Sequence, residues 1–173
     1  MSKEEKKVNR RDFLFTASYT IGAVGVGAVV WPLVHQMNPD KAQQALATIE
    51  VDISQVELGN SITVLWRGKP VFLKRRTPEE ITEARAVSLT ELPDPQKDED
   101  RVKEGKDEWL VMLGVCTHLG CVPLKDKGDY NGWFCPCHGS HYDGSGRIRK
   151  GPAPKNMEIP KFEFVDSNII KIG

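Results

Sequence analysis

The sequence predicts a small all-β domain, an antiparallel sandwich with inserted loops, preceded by a single N-terminal transmembrane helix. Three observations predict it. Residues 13–34 run for 22 positions without a charged side chain. Beyond residue 48, apolar residues recur at every second position in short runs separated by Gly, Pro, Asn and Asp, which is the pattern of half-buried strands and turns. Between these turns, residues 116–142 gather all four cysteines and three of the four histidines. At 173 residues the chain supports one domain plus appendages. Its 24 basic and 24 acidic side chains cancel, which argues against a nucleic-acid partner.

Residues 1–12 are charged and carry Lys3, Lys6, Lys7, Arg10 and Arg11. Positive charge beside an apolar run favours the cytoplasmic side of a membrane. Arg10-Arg11-Asp12-Phe13-Leu14 also has the form of a twin-arginine export signal. The apolar run 13–34 would span roughly 33 Å as a helix, enough for the hydrocarbon core. Trp31 and Pro32 mark its far end. Ala45-Leu46-Ala47 has the small-residue form of a signal cleavage site. It lies well past an apolar run longer than a signal core, so a retained anchor is expected. Residues 35–48 read as a tether between anchor and head; fully extended they reach at most roughly 50 Å.

The head is expected over residues 49–173. Ile49, Val51 and Ile53 alternate with polar residues and predict a first strand. Residues 61–66 and 70–74 predict a hairpin about Arg67-Gly68-Lys69. The basic run Lys74-Arg75-Arg76 is expected on a solvated surface. Pro78 followed by Glu79 and Glu80 predicts a short helix to about Val87. Residues 93–107 are charged and turn-rich, hence a surface loop. A strand over 108–115 leads into the first cysteine loop, another over 130–134 into the second, and a third begins at Arg147. Residues 158–165 and 168–172 predict a closing hairpin across Asp166-Ser167.

Cys116-x-His118 and Cys135-x-x-His138 place one thiol and one imidazole in each of two loops, with Cys121 and Cys137 as a further cysteine in each. Two Cys and two His could hold a tetrahedral structural zinc. The same four donors, divided two and two, fit a 2Fe–2S centre in which two His replace two Cys on one iron. His141 lies outside the ligand spacing and is expected to be a surface loop residue.

With these residues in place, the sequence resembles the Rieske iron–sulfur subunits of quinol–cytochrome c reductases, from the N-terminal anchor to the C-terminus. The resemblance implies one 2Fe–2S cluster, with Cys116 and Cys135 on one iron and His118 and His138 on the other. It implies a disulfide between Cys121 and Cys137, which requires an oxidising compartment. It implies that Ser140 donates to a bridging sulfide, that Tyr142 donates to the Cys116 sulfur, and that Leu119 shields the cluster. Gly139 suits a turn that brings backbone N–H groups near the sulfurs. Gly151-Pro152-Ala153-Pro154 matches the family's third wall around the cluster. Two ferric ions, two sulfides and two thiolates sum to zero charge, so such a centre accepts an electron at a potential within roughly −150 to +300 mV.

The implied activity is electron transfer from ubiquinol to a c-type cytochrome. His138 contacts the quinol, His118 is expected to lie exposed beside it, and the site is shared with a cytochrome b subunit. The implied partners are therefore cytochrome b, a c-type cytochrome, ubiquinol and membrane lipid, within a dimeric complex. The implied location is the bacterial inner membrane, with the head on the periplasmic side. The chain would be one subunit of that oxidoreductase and not catalytic alone. A photosynthetic cytochrome b complex, an oxidase small subunit or a zinc module stand as alternatives.

Overall fold

The computed structural model describes residues 9–38 and 47–173. Most of the charged N-terminal segment, the greater part of the expected tether and the Ala45-Leu46 pair lie outside the described residues. The chain divides into two units, residues 1–44 and 45–173.

The first unit is carried by α1 (Arg10–His35). Its 26 residues correspond to about 39 Å of helix, a few residues longer than the uncharged run predicts. None of its side chains is buried within the protein, and it is long and apolar enough to cross a membrane. Two of its hydroxyls are satisfied internally: Thr16 donates to the Asp12 carbonyl and Thr20 to the Thr16 carbonyl, each at 2.8 Å. Internal pairing of this kind suits a segment with no water around it.

Among its described residues the second unit holds ten strands. Strands β1 (Ile49–Asp52), β9 (Phe162–Phe164) and β10 (Ile169–Ile172) form one antiparallel sheet in the order β1-β10-β9. Strands β2 (Ser61–Trp66), β3 (Lys69–Arg75) and β4 (Trp109–Leu113) form a second. Val51, Ile53, Val71, Leu73, Trp109, Val111, Leu113, Phe162, Ile170 and Ile172 fill the core these strands share. A third sheet, in the order β5-β6-β7-β8, is built from Leu124–Lys127, Gly132–Cys135, Ser140–Tyr142 and Ile148–Lys150. The inserted subdomain is therefore more than loops; its first strand, Leu124–Lys127, is mostly charged and gave no alternation to read.

Strand β4 explains how the parts join. All five of its residues are buried. Side chains of a strand alternate between faces, so Trp109, Val111 and Leu113 enter the sandwich core. Leu110 and Met112 enter a second core with Phe72, Cys116, Trp133, Cys135, Tyr142, Ile148 and Met157. Phe72 and Trp133 stack there with centroids 4.4 Å apart.

The run Lys74-Arg75-Arg76 departs from expectation. Lys74 and Arg76 are 2% and 1% exposed. The cause is α2 (Pro78–Ala86) and the 93–107 segment, which fold over this end of β3. Lys74 donates to Glu80 at 2.6 Å, and Arg76 donates to Asp98 at 2.6 Å and to the Asp107 carbonyl. Glu80 also accepts the Thr77 backbone N–H in a capping box that starts α2. The 93–107 segment is likewise a packed strap as well as a surface loop: Asp98 and Arg101 within it are buried. Arg101 donates to the carbonyls of Ser145 and Met157, both at 2.7 Å.

Candidate metal centre

Strand β4 delivers the chain to Cys116, and β6 ends on Cys135. From these two points the loops close in the same way. The Gly120 N–H donates to the Cys116 carbonyl at 2.9 Å, and the Gly139 N–H to the Cys135 carbonyl at 3.0 Å. Both glycines have positive φ, +85° and +74°, a conformation that costs side-chain-bearing residues energy. Each loop thus turns back four residues after its buried cysteine. Cys121 and Cys137 join the loops as a disulfide.

Cys116 and Cys135 remain free, and each is 2% exposed. The sulfurs of Cys121, Cys135 and Cys137 also lie within 4.8 Å of one another. Two of those three are spent in the disulfide and have no thiolate to offer a metal, so Cys116 and Cys135 are the sulfur donors left. The rings of His118 and His138 meet edge to face with centroids 4.7 Å apart. His138 is exposed and His118 half-buried. The Nδ1 atom of His118 is buried without a hydrogen-bond partner among the described residues. A buried polar atom left alone is costly, and a metal bond would satisfy it. Two free thiols, this nitrogen and the neighbouring imidazole fit a two-sulfur, two-nitrogen centre.

The surroundings favour negative charge at Cys116. The fully buried Tyr142 donates its hydroxyl to Cys116 Sγ at 3.3 Å and accepts the Thr117 N–H at 3.2 Å. Burial pushes the Cys116 thiol up, but Tyr142, the His118 N–H, Cys135 and Ser140 outweigh it, and its pKa falls below the ordinary thiol value. Burial, with Cys116 beside it, pushes the Cys135 thiol up. Tyr142 is pushed up to about 12 by burial and by Cys116, so its hydroxyl keeps its proton at neutral pH.

The Gly151–Pro154 stretch packs where the sequence expects it: the Ala153 N–H donates to Ser140 Oγ at 3.2 Å. Thr117 is the residue that sequence reasoning misses. Its hydroxyl donates to the Lys155 carbonyl at 2.6 Å while its N–H reaches Tyr142, tying the first loop to that wall. Nothing in a lone Thr between Cys and His signals this. Leu119 is 71% exposed, with Val122 and Leu124 exposed nearby in sequence. His141 is not a loop residue. It lies in β7, paired with Phe134 and Lys150. Alternation turns Ser140 and Tyr142 inward and His141 to the other face, where its Nδ1 accepts the Asp129 N–H at 3.1 Å.

A sandwich carrying two disulfide-joined loops, which together hold two free buried thiols and two adjacent imidazoles, defines a Rieske-type iron–sulfur protein. Residues 44–163 match the family described as the Rieske [2Fe-2S] domain. Residues 1–40 match the ubiquinol–cytochrome c reductase Fe-S subunit TAT signal. The chain is 53% identical over 170 residues to the ubiquinol-cytochrome c reductase iron-sulfur subunit of Rickettsia felis, covering 98% of this chain and 96% of that one. It is 55% identical over 165 residues to the subunit of the same name from Bradyrhizobium diazoefficiens, covering 95% and 94%. Among solved structures it resembles a chain of a hyperthermophilic respiratory Complex III, with a TM-score of 0.54 and 28% identity over 90% of this chain and 97% of that one. The chain belongs to the family of Rieske iron–sulfur subunits of ubiquinol–cytochrome c reductase.

Proposed function

We propose that this chain takes one electron, together with a proton, from ubiquinol at a site completed by cytochrome b, and passes the electron to a c-type cytochrome. It is the electron-transfer subunit of the oxidoreductase, not a complete enzyme. Cys116 and Cys135 would hold one iron of a [2Fe–2S] cluster, and His118 and His138 the other. When bound, the cluster supplies a one-electron acceptor whose charge change alters the acidity of its imidazole ligands.

The observation that carries this reading is the buried, unpartnered Nδ1 of His118 beside the exposed ring of His138. With Nδ1 given to a metal, Nε2 of each ring is left to hold a proton. His138, being exposed, is the residue that would meet a quinol hydroxyl. The Tyr142 hydroxyl favours negative charge on Cys116, and Ser140 lies beside the same thiol. Leu119 would keep water from the histidines. The anchor α1 is retained, and the twin-arginine-like start sends the head, already folded, to the periplasmic side, where the Cys121–Cys137 disulfide survives. Residues 35–48 act as a tether on which the head travels between its partners, within a dimeric complex embedded in lipid.

The test is isolation of the membrane assembly, with iron and acid-labile sulfide analysis, an EPR spectrum of the reduced protein and quinol-dependent cytochrome c reduction. Equal iron and sulfide, with activity lost in His138→Ala, are expected. A colourless protein containing zinc and no inorganic sulfide overturns the reading.

A further inference from the structure

The β2–β3 hairpin reaches back to the beginning of the head. Its turn residues Arg67 and Gly68 both have positive φ, +52° and +73°, the geometry of a tight two-residue hairpin turn. Beside this turn, the Trp66 indole N–H donates to the Ala47 carbonyl at 2.9 Å, and the Arg67 guanidinium donates to the same oxygen at 3.3 Å. The guanidinium carbon lies 4.6 Å over the Trp66 ring, so the two donors brace each other. Gly173 backs the same carbonyl. A Cβ added at Gly173 would strike it, and the Gly173 N–H is fixed to the Lys161 carbonyl at 2.9 Å. The ladder between β1 and β10 begins only at Ile49, opposite Ile172. Ala47 is therefore held two residues before the first strand pair, by side chains outside the cysteine loops: Arg67, which is exposed at the turn, and Trp66, which packs against the edge of the sandwich core.

We propose that Trp66 and Arg67 form the head-side stop of the tether, so that the chain joins the rigid head at Ala47 and not at the first strand. This rests on the reading of residues 35–48 as a tether. The stop leaves the 11 residues 36–46 between the end of α1 and the head; without it Ala47 and Thr48 join the connector. The local concentration of a tethered group falls as about the −3/2 power of connector length, so two added residues lower it by about a fifth. The paired donors also fix the direction in which the chain leaves the head, which a single-bond attachment would not.

The test uses the full chain in its membrane complex. Trp66→Phe keeps an aromatic, though smaller, ring and removes the donor; it is combined with Arg67→Ala, and Arg67→Ala alone serves where the double variant assembles poorly. In the double variant, hydrogen exchange of the 47–52 amides is expected to quicken about tenfold, the effect of losing roughly one net hydrogen bond. A smaller rise is expected for Arg67→Ala alone. Peptides covering residues 109–142 and the EPR spectrum should not change. Single-turnover reduction of cytochrome c should fall by about a fifth or more. Unchanged exchange at 47–52 overturns the proposal, because β1 pairing alone would then be holding Ala47. Faster exchange with an unchanged rate also overturns it, because the attachment point would then not govern delivery. If the unaltered complex reduces no cytochrome c, the function proposed above fails separately, and the exchange arm still decides whether the pair holds Ala47.

Discussion

At Tyr142 the chemistry of the centre comes down to one hydroxyl. It is fully buried, keeps its proton, and aims that proton at Cys116 Sγ. A donor of this kind favours whichever state carries more negative charge on the sulfur. Tyr142→Phe removes it with little change of shape. At about 1 kcal/mol for the difference between charge states, and 59 mV per tenfold for one electron, the midpoint potential should fall by about 40 mV with the cluster retained. Redox titration followed by EPR measures this, and an unchanged potential would remove Tyr142 from the site. The four cysteines separate in the same residue-level terms. Cys116→Ser deletes one of the two free buried thiols and should abolish the native centre. Cys121→Ser removes only the tie between the loops. A link closing about 16 residues contributes about 3 kcal/mol, so that variant should retain some native EPR signal but lose it quickly on warming. Equal retention in both variants would reverse the division into ligands and disulfide.

Among the elements, legibility followed sequence distance. The hairpin, the start of α2 and the closing β9–β10 pair were readable because period-two alternation and turn residues lie within the segment that forms them. The cysteine loops were readable because their spacing is local too. The buried basic run was not. Lys74 and Arg76 find their acids at Glu80 and Asp98, and the charge of an isolated stretch cannot show that a later helix and strap will cover it. The strap carries its own prediction. Asp98 accepts Arg76 and the Ser145 hydroxyl, and its second oxygen lies 3.7 Å from Arg85 Nε. Burial alone would raise its pKa, but these donors and the charges of Arg76 and Arg147 outweigh it and hold it below the ordinary carboxylate value. A carboxylate depressed in the folded state stabilises the fold above its unfolded pKa, and that contribution is lost as pH falls through the folded value. Stability should therefore drop below about pH 4. Asp98→Asn should cost about 3–5 kcal/mol at pH 7, since Arg76 is left buried with its charge uncompensated. The variant should also show a shallower decline in urea midpoint between pH 5 and pH 3. Parallel declines in both proteins would mean that other carboxylates govern the acid limb.

Considered as a whole, the head is two cores joined through the β3–β4 pair: β3 sends Val71 and Leu73 to one core and Phe72 to the other, and β4 divides its buried side chains more evenly between them. Leu110 and Leu113 lie in β4 three residues apart, on opposite faces: Leu110 packs with Cys116, Cys135 and Tyr142, and Leu113 with the sandwich. If β4 is a common wall, neither core can lose its packing while the other keeps its own. The same truncation on either face should then act on one transition. Leu110→Ala and Leu113→Ala should each cost about 2–5 kcal/mol. In each variant the visible absorption of the cluster and the far-ultraviolet signal of the strands should vanish together, at a single lowered temperature. The decisive variant is Leu113→Ala, whose lost contacts are all on the face away from the cysteines. If its cluster absorption survives to a higher temperature than its sheet signal, the subdomain stands alone, and β4 is only the connection through which the chain passes.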